Sequence, residues 1–125
     1  MSPPKIRAAI ETDCPTLTEL ALTSKAFWGY SDEFMRGCEA VLTVTPRMIA
    51  EWESGVIEEN GAPAAFAFTS FEPDEAELQL LYVSPLHMGK GYGRALIRAV
   101  AERAALLGYD KLRIEADPNA LDFYR

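Results

Sequence analysis

His87-Met88-Gly89-Lys90-Gly91-Tyr92-Gly93-Arg94-Ala95-Leu96, written HMGKGYGRAL, sets three glycines within five residues between an apolar run, LQLLYV, and a run with helical spacing. Beyond the glycines, Leu96, Ala99, Val100, Ala104 and Leu107 recur at that spacing, leaving Arg94, Arg98, Glu102 and Arg103 for an outer face. Gly108 is placed to end the helix. KLRIEAD then alternates Leu112, Ile114 and Ala116 with Lys111, Arg113 and Glu115, as a half-buried strand would, and Asp117 or Asn119 opens a last turn, NALDFYR.

Working back from the loop, AELQLLYV reads as the strand that feeds it, with Glu72-Pro73-Asp74-Glu75 as the turn before it. Upstream, VIEEN and APAAFAFTSF form two more strands around the pair Asn60-Gly61, with Pro63 at the strand entrance. The middle of the chain is therefore a three-stranded antiparallel meander. The N-terminal part begins with a short strand on Ile6, Ala8 and Ile10. A helix follows, capped by Thr12 or Asp13, with Pro15 in its first turn and Leu17, Leu20, Ala21 and Ser24 on its inner face. Ser31 or Asp32 can cap a second helix running to about Leu42, and Thr45-Pro46 can start a third. The expected fold class is mixed α/β, or α+β.

A chain of 125 residues supports one domain with a real core, and about half of it is apolar and a quarter charged, as in an ordinary soluble globular protein. No uninterrupted apolar run suits a signal peptide or a membrane span, so the default location is the cytoplasm, with no membrane partner. Cys14 and Cys38 lie far apart, and the chain's only histidine is His87, which argues against zinc. Both thiols read as small buried apolar groups. The net charge of −7 is uneven: residues 1–77 carry 14 acidic and 5 basic side chains, whereas residues 78–125 carry 5 and 7. An anionic ligand suits the loop's half, and nucleic acid does not suit the acidic half.

Two glycine-loop types can be tested directly. A Walker loop needs Ser or Thr after Gly-Lys, and Gly91 follows Lys90. A dinucleotide loop has its first two glycines in Gly91 and Gly93 and an acid at Glu115, but Leu96 stands where the third glycine belongs. The strand before the loop also reads as part of a meander rather than of a parallel βαβ unit. Three glycines opening a helix still let backbone N–H groups converge on a pyrophosphate, where the helix dipole favours negative charge.

The stretch LYVSPLHMGKGYGRALIRAVAERAALLGYDKLRIEADPNALDFYR resembles the acetyl-CoA-binding half of a GNAT-family N-acetyltransferase. The family signature is Arg or Gln, two residues, Gly, one residue, then Gly or Ala. Met88 stands at the Arg or Gln position, followed by Gly89, Lys90, Gly91, Tyr92 and Gly93. The resemblance implies a mixed sheet with an antiparallel N-terminal meander, a central splayed strand and flanking helices. It implies acetyl-CoA as cofactor, held by residues 88–94, including Arg94, and by backbone groups near Leu81, Tyr82 and Val83. Met88 removes one side-chain contact and leaves the amides.

In the histone-type branch of that family, the general base is a glutamate six residues before the valine whose backbone holds the pantetheine arm; counting back from Val83 gives Glu77. An attacking amine must lose a proton, which Glu77, or Glu75 as second choice, can take. By alternation Glu77 shares a face with Gln79, Leu81 and Val83, opposite Ala76, Leu78, Leu80 and Tyr82, so Glu77 and Gln79 are expected to face a cleft or solvent, with Gln79 a candidate substrate contact. The plain alternative is an exposed residue on a half-solvated strand. The resemblance further implies that an N–H of the splayed strand stabilises the oxyanion. It makes Tyr124 the acid that protonates the leaving thiolate and Asn119 a partner of the pantetheine; Tyr124 could equally pack beside Phe123.

Phe27, Trp28 and Tyr30, followed by Asp32 and Glu33, lie where family members build the acceptor side of the cleft, and they could cradle an amine; some could equally pack the helix pair. His87 reads as a surface histidine, although it is near enough to the loop to touch a phosphate. Family members continue past the tyrosine-bearing helix with a further strand. The expectation is therefore one GNAT domain over residues 1–125, either shortened at its C-terminus or covered there by a second copy in a homodimer. The expected activity is acetyl transfer to a primary amine by direct attack, with a non-catalytic acyl-CoA-binding or interaction module as the rival.

Overall fold

Turn chemistry and patterning divide the chain as the sequence predicts, with informative exceptions. The computed structural model describes residues 4–27, 29 and 31–114, with the backbone alone at 38–41. Its elements are β1 (Ile6–Arg7), α1 (Cys14–Phe27), α2 (Asp32–Leu42), α3 (Pro46–Glu51), β2 (Glu53–Glu59), β3 (Ala62–Phe71), β4 (Ala76–Val83), α4 (Tyr92–Leu106) and β5 (Leu112–Ile114). They form one five-stranded sheet in the order β1-β2-β3-β4-β5. Its first four strands run antiparallel, and β5 pairs parallel with β4.

The caps are those the sequence offers. Ser31 Oγ accepts the Phe34 N–H at 3.1 Å, and Thr45 Oγ1 accepts that of Met48 at 3.3 Å. Asn60 and Gly61 turn β2 into β3 with φ of 56° and 82°, the pair of positive values a two-residue hairpin needs.

The first strand is shorter than its alternation suggests. Only Ile6 and Arg7 pair with β2; Ala9 N–H instead donates to Ser54 Oγ at 2.9 Å, and Ile10 N–H to Asp13 Oδ2 at 2.8 Å. Side-chain acceptors thus outcompete the ladder, and the Ile10 side chain is left 58% exposed. Asp13 also takes two hydrogen bonds from Arg7, whose Nε reaches Glu58, so one guanidinium ties β1, the start of α1 and β2 together.

The sheet separates two apolar clusters. On one side Leu17, Leu20 and Ala21 of α1 pack with Leu42, Val44, Val56, Phe66 and Phe68, joined by Met48, Trp52, Leu80 and Tyr82. On the other, Leu96 of α4 meets Ile57, Ala65, Ala67, Leu78, Leu81 and Val83. Two expected inward positions differ: Leu107 is 44% and Ile114 40% exposed.

Strict alternation along β4 fails. Phe68 of β3 pairs with Leu80 but Thr69 pairs with Leu78, so Gln79 is an extra residue, a β-bulge. Leu78 consequently joins Leu81 and Val83 on the α4 side, whereas Leu80 and Tyr82 turn to the α1 side. Glu77, opposite Leu78, shares the face of Leu80 and Tyr82 rather than that of Leu81 and Val83. One ground for setting aside a dinucleotide loop also falls, because β4, α4 and β5 do form a parallel crossover. The other holds: Leu96, where the third glycine belongs, is a core residue at 1% exposure.

Candidate active site

The glycine loop lies between the C-terminal end of β4 and the first turn of α4. Gly91 is the N-cap of α4 in left-handed conformation, and no side chain caps the helix. Gly89 and Gly91 have φ of +83° and +80°, and a Cβ on either would meet no protein atom within 4 Å. Left-handed backbone selects glycine, and the open space beside it lets a ligand approach the main chain. The first N–H groups of a helix point out from its N-terminus, towards the glycine loop, so the loop fits a phosphate-bearing cofactor. Gly93 is buried, and Met88 is half-buried.

Pairing register brings a further group to the loop. Ala65 of β3 pairs with Val83, and Ala64 C=O accepts the Ser84 N–H at 2.8 Å, so the β2–β3 hairpin projects past the end of β4, alongside the loop. There Glu59 Oε1 lies 2.6 Å from Lys90 Nζ and Oε2 lies 2.5 Å from His87 Nδ1. Lys90 holds the Glu59 carboxyl below the usual carboxylate range, and Glu59 in turn raises Lys90. His87 is therefore engaged rather than idle on the surface. Sequence alone does not reveal Glu59; its one hint is its place beside the Asn60-Gly61 turn.

Further back along β4, Glu77 is half-buried, its side chain 26% exposed. Gln79 Nε2 donates to Glu77 Oε2 at 3.2 Å and to Ser70 Oγ at 3.0 Å, while Arg113 Nε lies 3.9 Å from Glu77 Oε1. The bulge thus places Gln79 to orient the carboxylate, with Ser70, 4% exposed, behind it. Glu75, 3.7 Å from Arg113, is more exposed than Glu77. Six residues of strand put Glu77 about 20 Å from Val83. A ligand serving both ends must be extended.

Of the residues expected to meet the acceptor, Phe27 is 55% exposed, and Asp32 and Glu33 are exposed in the first turn of α2, where they also complement the helix dipole. Lys25 Nζ lies 5.9 Å from the centre of the Phe34 ring. Trp28, Tyr30, Asn119 and Tyr124 lie outside the described residues. Among the described residues no cluster of His, Cys, Asp or Glu could hold a metal ion, and no helix is long and apolar enough to cross a membrane.

The model of the acetyltransferase (GNAT) family matches residues 22–125. The chain belongs to the GNAT family. Acetyl-CoA-dependent acyl transfer is accordingly its enzyme class, and acetyl-CoA its cofactor. No curated protein matches the chain. Solved structures share the GNAT fold closely. PaiA N-acetyltransferase from Thermoplasma acidophilum, in complex with coenzyme A, superposes with a TM-score of 0.84 at 20% identity, over 99% of this chain and 87% of that one. A GCN5-related N-acetyltransferase from Rhodopseudomonas palustris gives 0.78 at 25% identity, over 99% and 79%. The ribosomal-protein-S18-alanine N-acetyltransferase from Escherichia coli gives 0.68 at 24% identity, over 96% and 73%. This GNAT sheet, mixed and five-stranded with flanking helices, is the expected architecture.

Proposed function

We propose that this acetyltransferase acts in the cytoplasm, moving the acetyl group of acetyl-CoA to a primary amine by direct attack within one domain. The observation that carries this reading is a single strand, β4, ending in an uncapped glycine loop and bearing a half-buried, hydrogen-bonded glutamate further back. Bound at the loop, acetyl-CoA supplies an activated thioester.

The chain's own groups then divide the work. Backbone N–H groups of residues 88–94 receive the phosphates, and the end of β4 at Leu81, Tyr82 and Val83 flanks the extended arm, with Asn119 as a hydrogen-bond partner. Glu77 accepts the amine proton at Oε1, which faces Arg113, while Gln79 holds Oε2. Tyr124 returns a proton to the departing sulfur. Phe27, Trp28, Tyr30, Asp32 and Glu33 receive the acceptor, their carboxylates favouring an ammonium group. Acceptors named for structural neighbours include a ribosomal-protein alanine and glucosamine-6-phosphate, so an amine is the chemistry they share.

Glu77→Gln and Tyr124→Phe test the assignment. With amines screened by release of free thiol and acetyl-CoA binding followed by calorimetric titration, each variant should lose about 100-fold or more in turnover and retain the cofactor. Variants as fast as the parent overturn both roles. A parent that binds acetyl-CoA and acetylates no amine leaves the non-catalytic acyl-CoA-binding module as the better reading.

A further inference from the structure

Glu59 sits on the hairpin, outside the cofactor loop, yet it is the carboxylate on which the loop's two basic side chains converge. Lys90 Nζ approaches Oε1 to 2.6 Å, and His87 Nδ1 approaches Oε2 to 2.5 Å. Glu59 Oε2 and His87 Nδ1 are both shut off from solvent and in close contact, without an aligned hydrogen bond between them. The His87 and Tyr92 rings lie 6.4 Å apart in a tilted arrangement.

Gly89 lies between these two anchors, His87 and Lys90, and Gly91 directly follows the second; glycine loses more conformational freedom on ordering than any other residue. A loop of this kind either meets the cofactor already ordered or surrenders that entropy on binding. We propose that Glu59 is a positioning residue for the cofactor loop, gripping His87 and Lys90 so that the amides of residues 89–93 stand ready before phosphates arrive. This rests on the loop being the acetyl-CoA site. Glu59 does bring a negative charge towards an anion site, but the Lys90 ammonium beside it offsets that charge. Ordering is the larger effect.

Glu59→Gln keeps the side-chain shape and removes the charge. Amide exchange of the ligand-free protein should quicken at residues 88–93 and stay unchanged in β3. The KM for acetyl-CoA should rise about tenfold with kcat nearly held, as expected when preorganisation alone is lost. Glu59→Asp should recover part of the loss. Lys90→Met should loosen the same amides, and Glu59→Gln added to it should cost much less than in the parent, because the two share one interaction. Unchanged exchange at the loop, or tighter acetyl-CoA binding by Glu59→Gln, overturns the proposal. Exchange is read without cofactor, so it judges Glu59 even if the parent binds no acetyl-CoA, a result that would count against the functional reading alone.

Discussion

At Gly91 one residue meets two demands: it starts α4 at φ +80°, and it leaves open the space that a ligand's phosphates need. Gly91→Ala should lower stability by about 1–2 kcal/mol through the left-handed backbone alone. Acetyl-CoA affinity should fall as well, since the new methyl would stand where the protein has no atom within 4 Å. Urea melts and calorimetric titration measure the two effects separately; loss of stability without loss of affinity would place the phosphates elsewhere. The three glycines were legible in the sequence because their spacing is local. Glu59 was not, because its contact with Lys90 spans 31 residues and depends on how far the hairpin overhangs β4. Glu77 was legible only by counting back from Val83, and the partner that orients it, Gln79, became visible with the bulge.

Among the elements, α1 owes its placement to Asp13, which caps the preceding turn and binds Arg7 while its side chain is only 12% exposed. The Arg7 guanidinium lowers the Asp13 carboxyl below its ordinary value of 3.8. A folded-state value below the unfolded one means that the stabilisation is complete above the ordinary carboxylate range and is lost as pH falls through the lowered value. Asp13→Asn should therefore cost about 1–3 kcal/mol at pH 7. The gap between parent and variant should close as pH drops below about 4, which urea melts across that range would show. A gap independent of pH would mean that the pair contributes nothing. The helices were legible from their caps and apolar spacing, as at Ser31 and at Leu17, Leu20, Ala21 and Ser24. Strand β4 was legible as a strand but not in its facing, since one inserted residue reverses every side chain beyond it.

For the whole molecule, β3 is the shared wall: Phe66 and Phe68 face the α1 cluster, and Ala65 and Ala67 face the α4 cluster. Damage on either side should therefore spread through one cooperative unit. Leu96→Ala and Phe66→Ala, at 1% and 0% exposure, should each cost about 2–5 kcal/mol, and each should leave a single transition in which near- and far-UV signals coincide. Separate transitions for the two faces would contradict a common core. Each substitution should also lower the stability of the site, because β4, which bears Glu77 and ends at the loop, contributes to both clusters.

The sequence by itself determined the order of elements, the turn at Asn60-Gly61, the glycine loop at the start of α4 and the family to which that order belongs. These rest on local chemistry: backbone preference, caps and periodicity within a few residues. Only the tertiary structure decided the parallel pairing of β5 with β4, the bulge that turns Glu77 to the α1 face, and the meeting of Glu59 with His87 and Lys90. Those are matters of register between segments distant along the chain, and register is settled by packing across the sheet rather than by the residues of any one strand.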